Sequence, residues 1–145
     1  MLRDSFVKFY KRLRLMHYRE LFGRIREKDG SLSATEAIAV DVIYLLGSPT
    51  LTQFAETLGV SQPNATYKVN NLVAKGYVRK TVSDGDKREC RVTVSDKFFK
   101  YYDTHSGFLD SVMALLEDKF TQEELGTFEA VLDAISSIRQ SAEAQ

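Results

Sequence analysis

Apolar residues recur at helical spacing along most of this chain and alternate at strand spacing in one short region only. Leu2, Phe6, Phe9, Leu13 and Met16 share a stripe that reaches Glu20, with Val7, Tyr10 and Tyr18 beside it. That spacing predicts a long helix over residues 2–28, ended by Asp29-Gly30. Ser33-Ala-Thr-Glu36 is a capping box that opens a second helix through Leu46, and Gly47 and Pro49 stop it. Thr52–Leu58 reads as a short helix turning Phe54, Ala55 and Leu58 inward, with Gly59 at the left-handed position after it. Ser61 then suits an N-cap, and Pro63 is tolerated in the first turn of a helix over Gln62–Lys75. Ala65, Val69, Leu72 and Val73 form its inward stripe, and Gly76 closes it.

The periodicity then changes from helical to two. Val78, Lys80 and Val82 alternate with Tyr77, Arg79 and Thr81, and Cys90, Val92 and Val94 alternate with Glu89, Arg91 and Thr93. Asp84-Gly85 supplies turn chemistry between the two runs. Helix, turn, helix and hairpin define a winged helix-turn-helix over residues 33–95, in a fold that is mainly α with one small β-hairpin. After it, Ser95 can cap a helix running to about Phe120. A second capping box, Thr121-Gln-Glu-Glu124, opens a last helix striped by Leu125, Phe128, Val131, Leu132, Ile135 and Ile138.

The second helix of the motif turns outward Gln62, Asn64, Thr66, Tyr67, Lys68 and Asn71. Amide, hydroxyl and cationic side chains of this kind reach base edges and phosphates in a major groove. An ordinary solvated helix face fits the same residues equally well. The hairpin shifts the balance, because Lys87, Arg88 and Arg91 place cations on a projecting loop, where an arginine suits a narrow minor groove.

Four segments carry a resemblance: Leu51-Thr52-Gln53-Phe54-Ala55, Val60-Ser61-Gln62-Pro63, Leu72 to Val78, and Asp86-Lys87-Arg88 continuing to Ser95. They resemble the MarR (multiple antibiotic resistance regulator) family of winged helix-turn-helix transcription factors, and chain length and helix order extend the likeness over essentially all residues. The Asp-x-Arg wing after a helix-turn-helix is its most specific part. The resemblance implies that Arg88 enters the minor groove and that Asp86 braces the wing through a nearby arginine. Tyr67 departs from the family, standing where an arginine is common. Val94-Ser95 replaces Leu-Thr, and Phe98 replaces a common glycine.

Length and charge refine this picture. At 145 residues the chain is long enough for a single domain with a real core. The helices over 1–28 and 96–140 carry more apolar surface than the winged lobe can cover, and Leu109, Val112, Met113, Leu115 and Leu116 add to it. Homodimerisation through these helices is the simplest expectation, and the resemblance implies the same. Net charge is zero, which counts against a strong non-specific binder of nucleic acid. It is nonetheless segregated. Residues 1–28 hold nine Lys/Arg against three Asp/Glu, residues 61–92 seven against three, and residues 103–145 two against nine. The basic wing region is the footprint expected of a phosphate-facing surface. The acidic C-terminal helices could pair with the basic first helix, although solvated charge runs fit too.

These observations set the expected partners: double-stranded DNA, a second copy of the chain, and no membrane. For the DNA interface the candidate residues are Ser61, Gln62, Asn64, Thr66, Tyr67, Lys68, Asn71, Lys80, Asp86, Lys87, Arg88 and Arg91. By the resemblance, a small hydrophobic or phenolic effector would bind where the dimerisation helices meet the winged lobe. Candidate walls are Phe9, Tyr10, His17, Tyr18, Phe22, Tyr44, Tyr101 and Tyr102, all of which also fit as core aromatics. No signal peptide or membrane span is visible, since the longest apolar run is broken by Asp41. A single cysteine suits a reducing cytoplasm. Cys90 shares a strand face with Val92 and Val94 and reads as a small buried apolar residue rather than a redox switch. His17 and His105 are the two histidines, without ligand spacing; only with Glu20 and Asp103 across a dimer could they hold a metal, so no cofactor is expected. No phosphate-cradling glycine loop, His-Glu-x-x-His or Gly-x-Ser-x-Gly motif occurs, so an enzyme is not expected. The competing class is a winged-helix protein-interaction module without specific DNA binding.

Overall fold

The computed structural model describes residues 1–26, 32–82, 85, 89–102 and 106–138, and leaves out the side chains of residues 24–26, 101, 102 and 106. The elements run α1 (Leu2–Arg26), α2 (Ala34–Leu46), α3 (Leu51–Leu58), α4 (Gln62–Ala74), β1 (Val78–Val82), β2 (Cys90–Val94), α5 (Asp96–Tyr102), α6 (Ser106–Lys119) and α7 (Gln122–Ser136). They fall into two compact units, residues 1–103 and 104–145.

Local capping sets the helix boundaries in the first unit. The Ser33 hydroxyl accepts the Glu36 amide while Ser33 N–H donates to the Glu36 carboxylate, so two otherwise unpaired donors are satisfied at the start of α2. Thr50 and Gln53 repeat the arrangement for α3, one position earlier than the sequence pattern places it. Gly59 follows at φ 66°, a left-handed conformation that glycine adopts without steric cost. This sharp reversal sends the chain into α4, where Ser61 accepts the Asn64 amide and Pro63 occupies the first turn.

The core packs around α2, α3 and α4. Leu32, Ala37, Val40 and Ile43 meet Phe54, Ala65, Val69 and Leu72, and the hairpin contributes Val78 and Val92. β1 and β2 pair antiparallel, with Val78 opposite Val94 and Val82 opposite Cys90. Thr50 forms a further bridge to Arg91, and Val92 N–H donates to Pro49 O at 2.9 Å, so the turn before α3 serves as a short third strand.

Several expectations are corrected here. In β1 only Val78 is buried and Val82 is exposed, because the hairpin projects beyond the body that could cover it. Val73 is also exposed, and Cys90 is half-buried rather than buried. The Ser95 hydroxyl donates to Gly76 O, tying the end of β2 to the turn after α4. The single helix expected up to Phe120 is described as α5 and α6, with residues 103–105 outside the described residues.

The apolar stripe of α1 is largely uncovered. Leu21 is buried, whereas Leu2, Phe6 and Phe9 are exposed. The second unit shows the same feature. Thr121 caps α7 through a reciprocal bond with Glu124, and this bonding holds the Glu124 carboxyl below the usual carboxylate range. Yet α7 buries none of its stripe: Phe128, Val131, Leu132, Ile135 and Ile138 all remain exposed.

Candidate nucleic-acid interface

α4 is anchored from beneath by Ala65, Val69 and Leu72, all fully buried. An anchored helix presents its opposite face in a fixed register. On that face Gln62, Asn64 and Tyr67 are exposed, while Thr66, Lys68 and Asn71 are half-buried. Tyr67 is 66 % exposed, which leaves a large amphipathic ring mostly uncovered among the described residues.

Side-chain bonds hold this helix at both ends. Gln62 Nε2 donates to Thr52 Oγ1 at 3.0 Å, linking the start of α4 to α3. Lys80 Nζ on β1 donates to Asn70 Oδ1, linking α4 to the hairpin. Asn70 is a residue that sequence reasoning missed. Its signal lay in spacing, since 62, 66 and 70 form one row at intervals of four on the helix surface. Ser61 serves the backbone as the N-cap.

The C-terminal end of α4 is closed by two lysines. Lys97 Nζ donates to Lys75 O at 2.8 Å and sits 4.5 Å from the Tyr77 ring centroid, placing a cation where helix carbonyls lack partners. Lys75 Nζ in turn donates to the Glu36 carboxylate at 2.7 Å. Burial pushes the Glu36 carboxyl up, but bonds from Lys75 and Ser33 outweigh it and hold the group below the usual carboxylate range.

In the wing, Arg91 is turned back toward the body. Its Nη1 donates to Ser48 O at 3.2 Å and its Nη2 to the Glu89 carboxylate at 3.0 Å. Arg79 stands 4.0 Å from Asp96 at the exposed base of the hairpin. Asp86, Lys87 and Arg88 lie outside the described residues.

Among the expected effector residues, the side chains of Phe9, Tyr10, His17, Tyr18, Phe22 and Tyr44 are described. Tyr44 packs on Phe98 with ring centroids 5.0 Å apart and on Phe99 at 6.0 Å. Phe98 and Phe99 were not among the expected walls. Phe9, Tyr10, His17, Tyr18 and Phe22 are exposed along α1, where Arg14 lies over the rings of Tyr10 and Tyr18. The side chains of Tyr101 and Tyr102, and residues Asp103 and His105, lie outside the described residues. Among the described residues, no helix is long and apolar enough to cross a membrane.

A buried three-helix scaffold, an exposed second helix of a helix-turn-helix and an antiparallel hairpin beside it define a winged-helix protein. Residues 31–89 match the MarR family. No protein of curated function matches the sequence. Among solved structures, the fold is similar to Streptococcus pneumoniae FabT in complex with DNA, at 23 % identity over 93 % of this chain and 92 % of that one, TM-score 0.61. It is similar to a single-site mutant of MepR from a multidrug-resistant S. aureus clinical isolate, at 14 % identity over 91 % and 95 %, TM-score 0.64. It also matches a mutant of E. coli MarR complexed with operator DNA, at 21 % identity over 90 % and 96 %, TM-score 0.52.

Proposed function

We propose that the chain is a DNA-binding transcriptional regulator that acts as a homodimer on a near-palindromic duplex site. One observation carries the reading: α4 is fixed by a fully buried face while Gln62, Asn64 and Tyr67 are exposed beside a hairpin. FabT and E. coli MarR, whose folds this chain shares, were each solved with DNA, which supports the same role here. Two copies would place two α4 helices in successive major grooves, ~34 Å apart.

In this reading Gln62, Asn64, Thr66, Tyr67 and Asn71 meet base edges, Lys68, Lys80 and Lys87 meet phosphates, and Arg88 enters the minor groove. Ser61 and Asp86 hold the local backbone that presents them. The regulator works in the cytoplasm, has no catalytic role, and represses by covering a promoter until a small hydrophobic or phenolic effector releases it. Residues 33–95 form the DNA-binding lobe and the helices over 1–28 and 96–140 the dimerisation region.

Selection of bound fragments from a genomic library tests this directly. Wild type is expected to enrich a short sequence with two related half-sites, and Tyr67→Ala to relax the preference at one position in each half. Loss of a base contact costs roughly 1–3 kcal/mol of discrimination. Recovery of unrelated fragments by wild type would reject the proposal.

A further inference from the structure

The wing carries an arginine whose guanidinium is already occupied, and the residue that occupies it has an unusual backbone. Ser48 has φ 62° and is the one non-glycine residue with positive φ among the described residues. A side chain in that region crowds its own backbone, so the conformation persists only where surrounding bonds impose it. Here four links do so, all to β2. Ser48 O accepts Arg91 Nη1 at 3.2 Å, and Ser48 Oγ accepts the Thr93 hydroxyl at 3.2 Å. Pro49 O accepts Val92 N–H at 2.9 Å, and Thr50 bridges Arg91. The 48–50 turn thus grips three consecutive residues of the second wing strand, while Asn70 holds Lys80 on the first.

We propose that Arg91 is a positioning residue, not a phosphate contact: with Thr93 it locks β2 to the Ser48 turn and so sets how the hairpin stands beside α4. This rests on the DNA-binding reading above. The geometry favours it over a phosphate role, because Nη1 and Nη2 both point at acceptors within the protein and Glu89 already neutralises the cation. Reaching a phosphate would require breaking bonds that hold the wing in place.

The salt dependence of DNA binding separates the two roles. A residue that neutralises a phosphate takes about one unit from the log–log salt slope when removed, whereas a positioning residue changes affinity and leaves the slope alone. Arg91→Ala and Thr93→Val are each expected to weaken binding to the selected site roughly three- to tenfold at an unchanged slope. The double variant should lose less than the product of the two, since both act on one turn. Arg91→Gln retains an N–H donor for Ser48 O and should recover part of the affinity without its charge. A shallower slope for Arg91→Ala would overturn the proposal, as would unchanged affinity in either single variant.

A second measurement does not involve DNA. Amide exchange at Val92 should quicken in both single variants of the free protein, and unchanged exchange would overturn the proposal. If wild type bound no DNA while Val92 exchange rose in the variants, the DNA-binding reading would fail and the strut between Ser48 and the wing would stand.

Discussion

At the scale of single residues, Glu36 shows opposing forces resolved by geometry. It caps α2 through Ser33 and accepts Lys75 from the end of α4, and these bonds hold its carboxyl below the ordinary value of 4.5 despite partial burial. A carboxylate with a depressed folded pKa contributes stability that is complete above its unfolded value and disappears as pH falls through the folded one. Urea melts of wild type and Glu36→Gln should therefore differ most at pH 6–7, by roughly 1 kcal/mol given the half-exposed lysine. The difference should shrink below about pH 4.5. A gap that widened in acid would contradict the assignment. The capping part of this arrangement was legible in the sequence, since Ser33 and Glu36 are three residues apart. The Lys75 bond was not, because it joins residues 39 positions apart and depends on how α2 and α4 cross. The same holds for Arg91: its charge is visible in sequence, but its attachment to Ser48, 43 positions away, is not.

At the scale of elements, the helices were more legible than the hairpin. Helix ends are set by bonds spanning three or four residues, so Thr121, Ser61 and Gly59 announce themselves in one dimension. Gly59 at φ 66° makes the turn between α3 and α4, and a Cβ there would meet no neighbour but would strain the backbone. Gly59→Ala should accordingly cost about 1–2 kcal/mol, read as a lower melting temperature. An unchanged melting temperature would argue against the left-handed turn. Ser61→Ala removes the cap of α4 and should cost about 1 kcal/mol, while raising amide exchange in its first turn before the rest of the lobe. Strand alternation was a poorer guide. Val82 follows the buried pattern in sequence but is exposed, since nothing among the described residues covers that part of the hairpin. Periodicity reports which residues could share a face, not whether anything lies against that face.

At the scale of the whole molecule, the exposed stripes on α1 and on α7 are the feature a lone chain leaves unexplained. Leu2, Phe6 and Phe9 in one unit and Val131, Leu132 and Ile135 in the other expose a series of large apolar side chains, and such patches mark association surfaces. The sequence made this surplus visible from helical periodicity alone. Sedimentation at micromolar concentration should give twice the chain mass of 16.5 kDa, and Leu132→Glu with Ile135→Glu should shift it toward a single chain. A monomeric wild type would remove the basis for a two-half-site operator. The central claim, that α4 and its wing form a DNA-reading surface, is tested most directly by fluorescence anisotropy on the selected fragment across a salt series. The account predicts tight binding that weakens steeply with salt, at about 0.9 log units per neutralised phosphate, with Arg88→Ala shallower by about one unit. Binding no tighter than to scrambled DNA, and flat with salt, would contradict it.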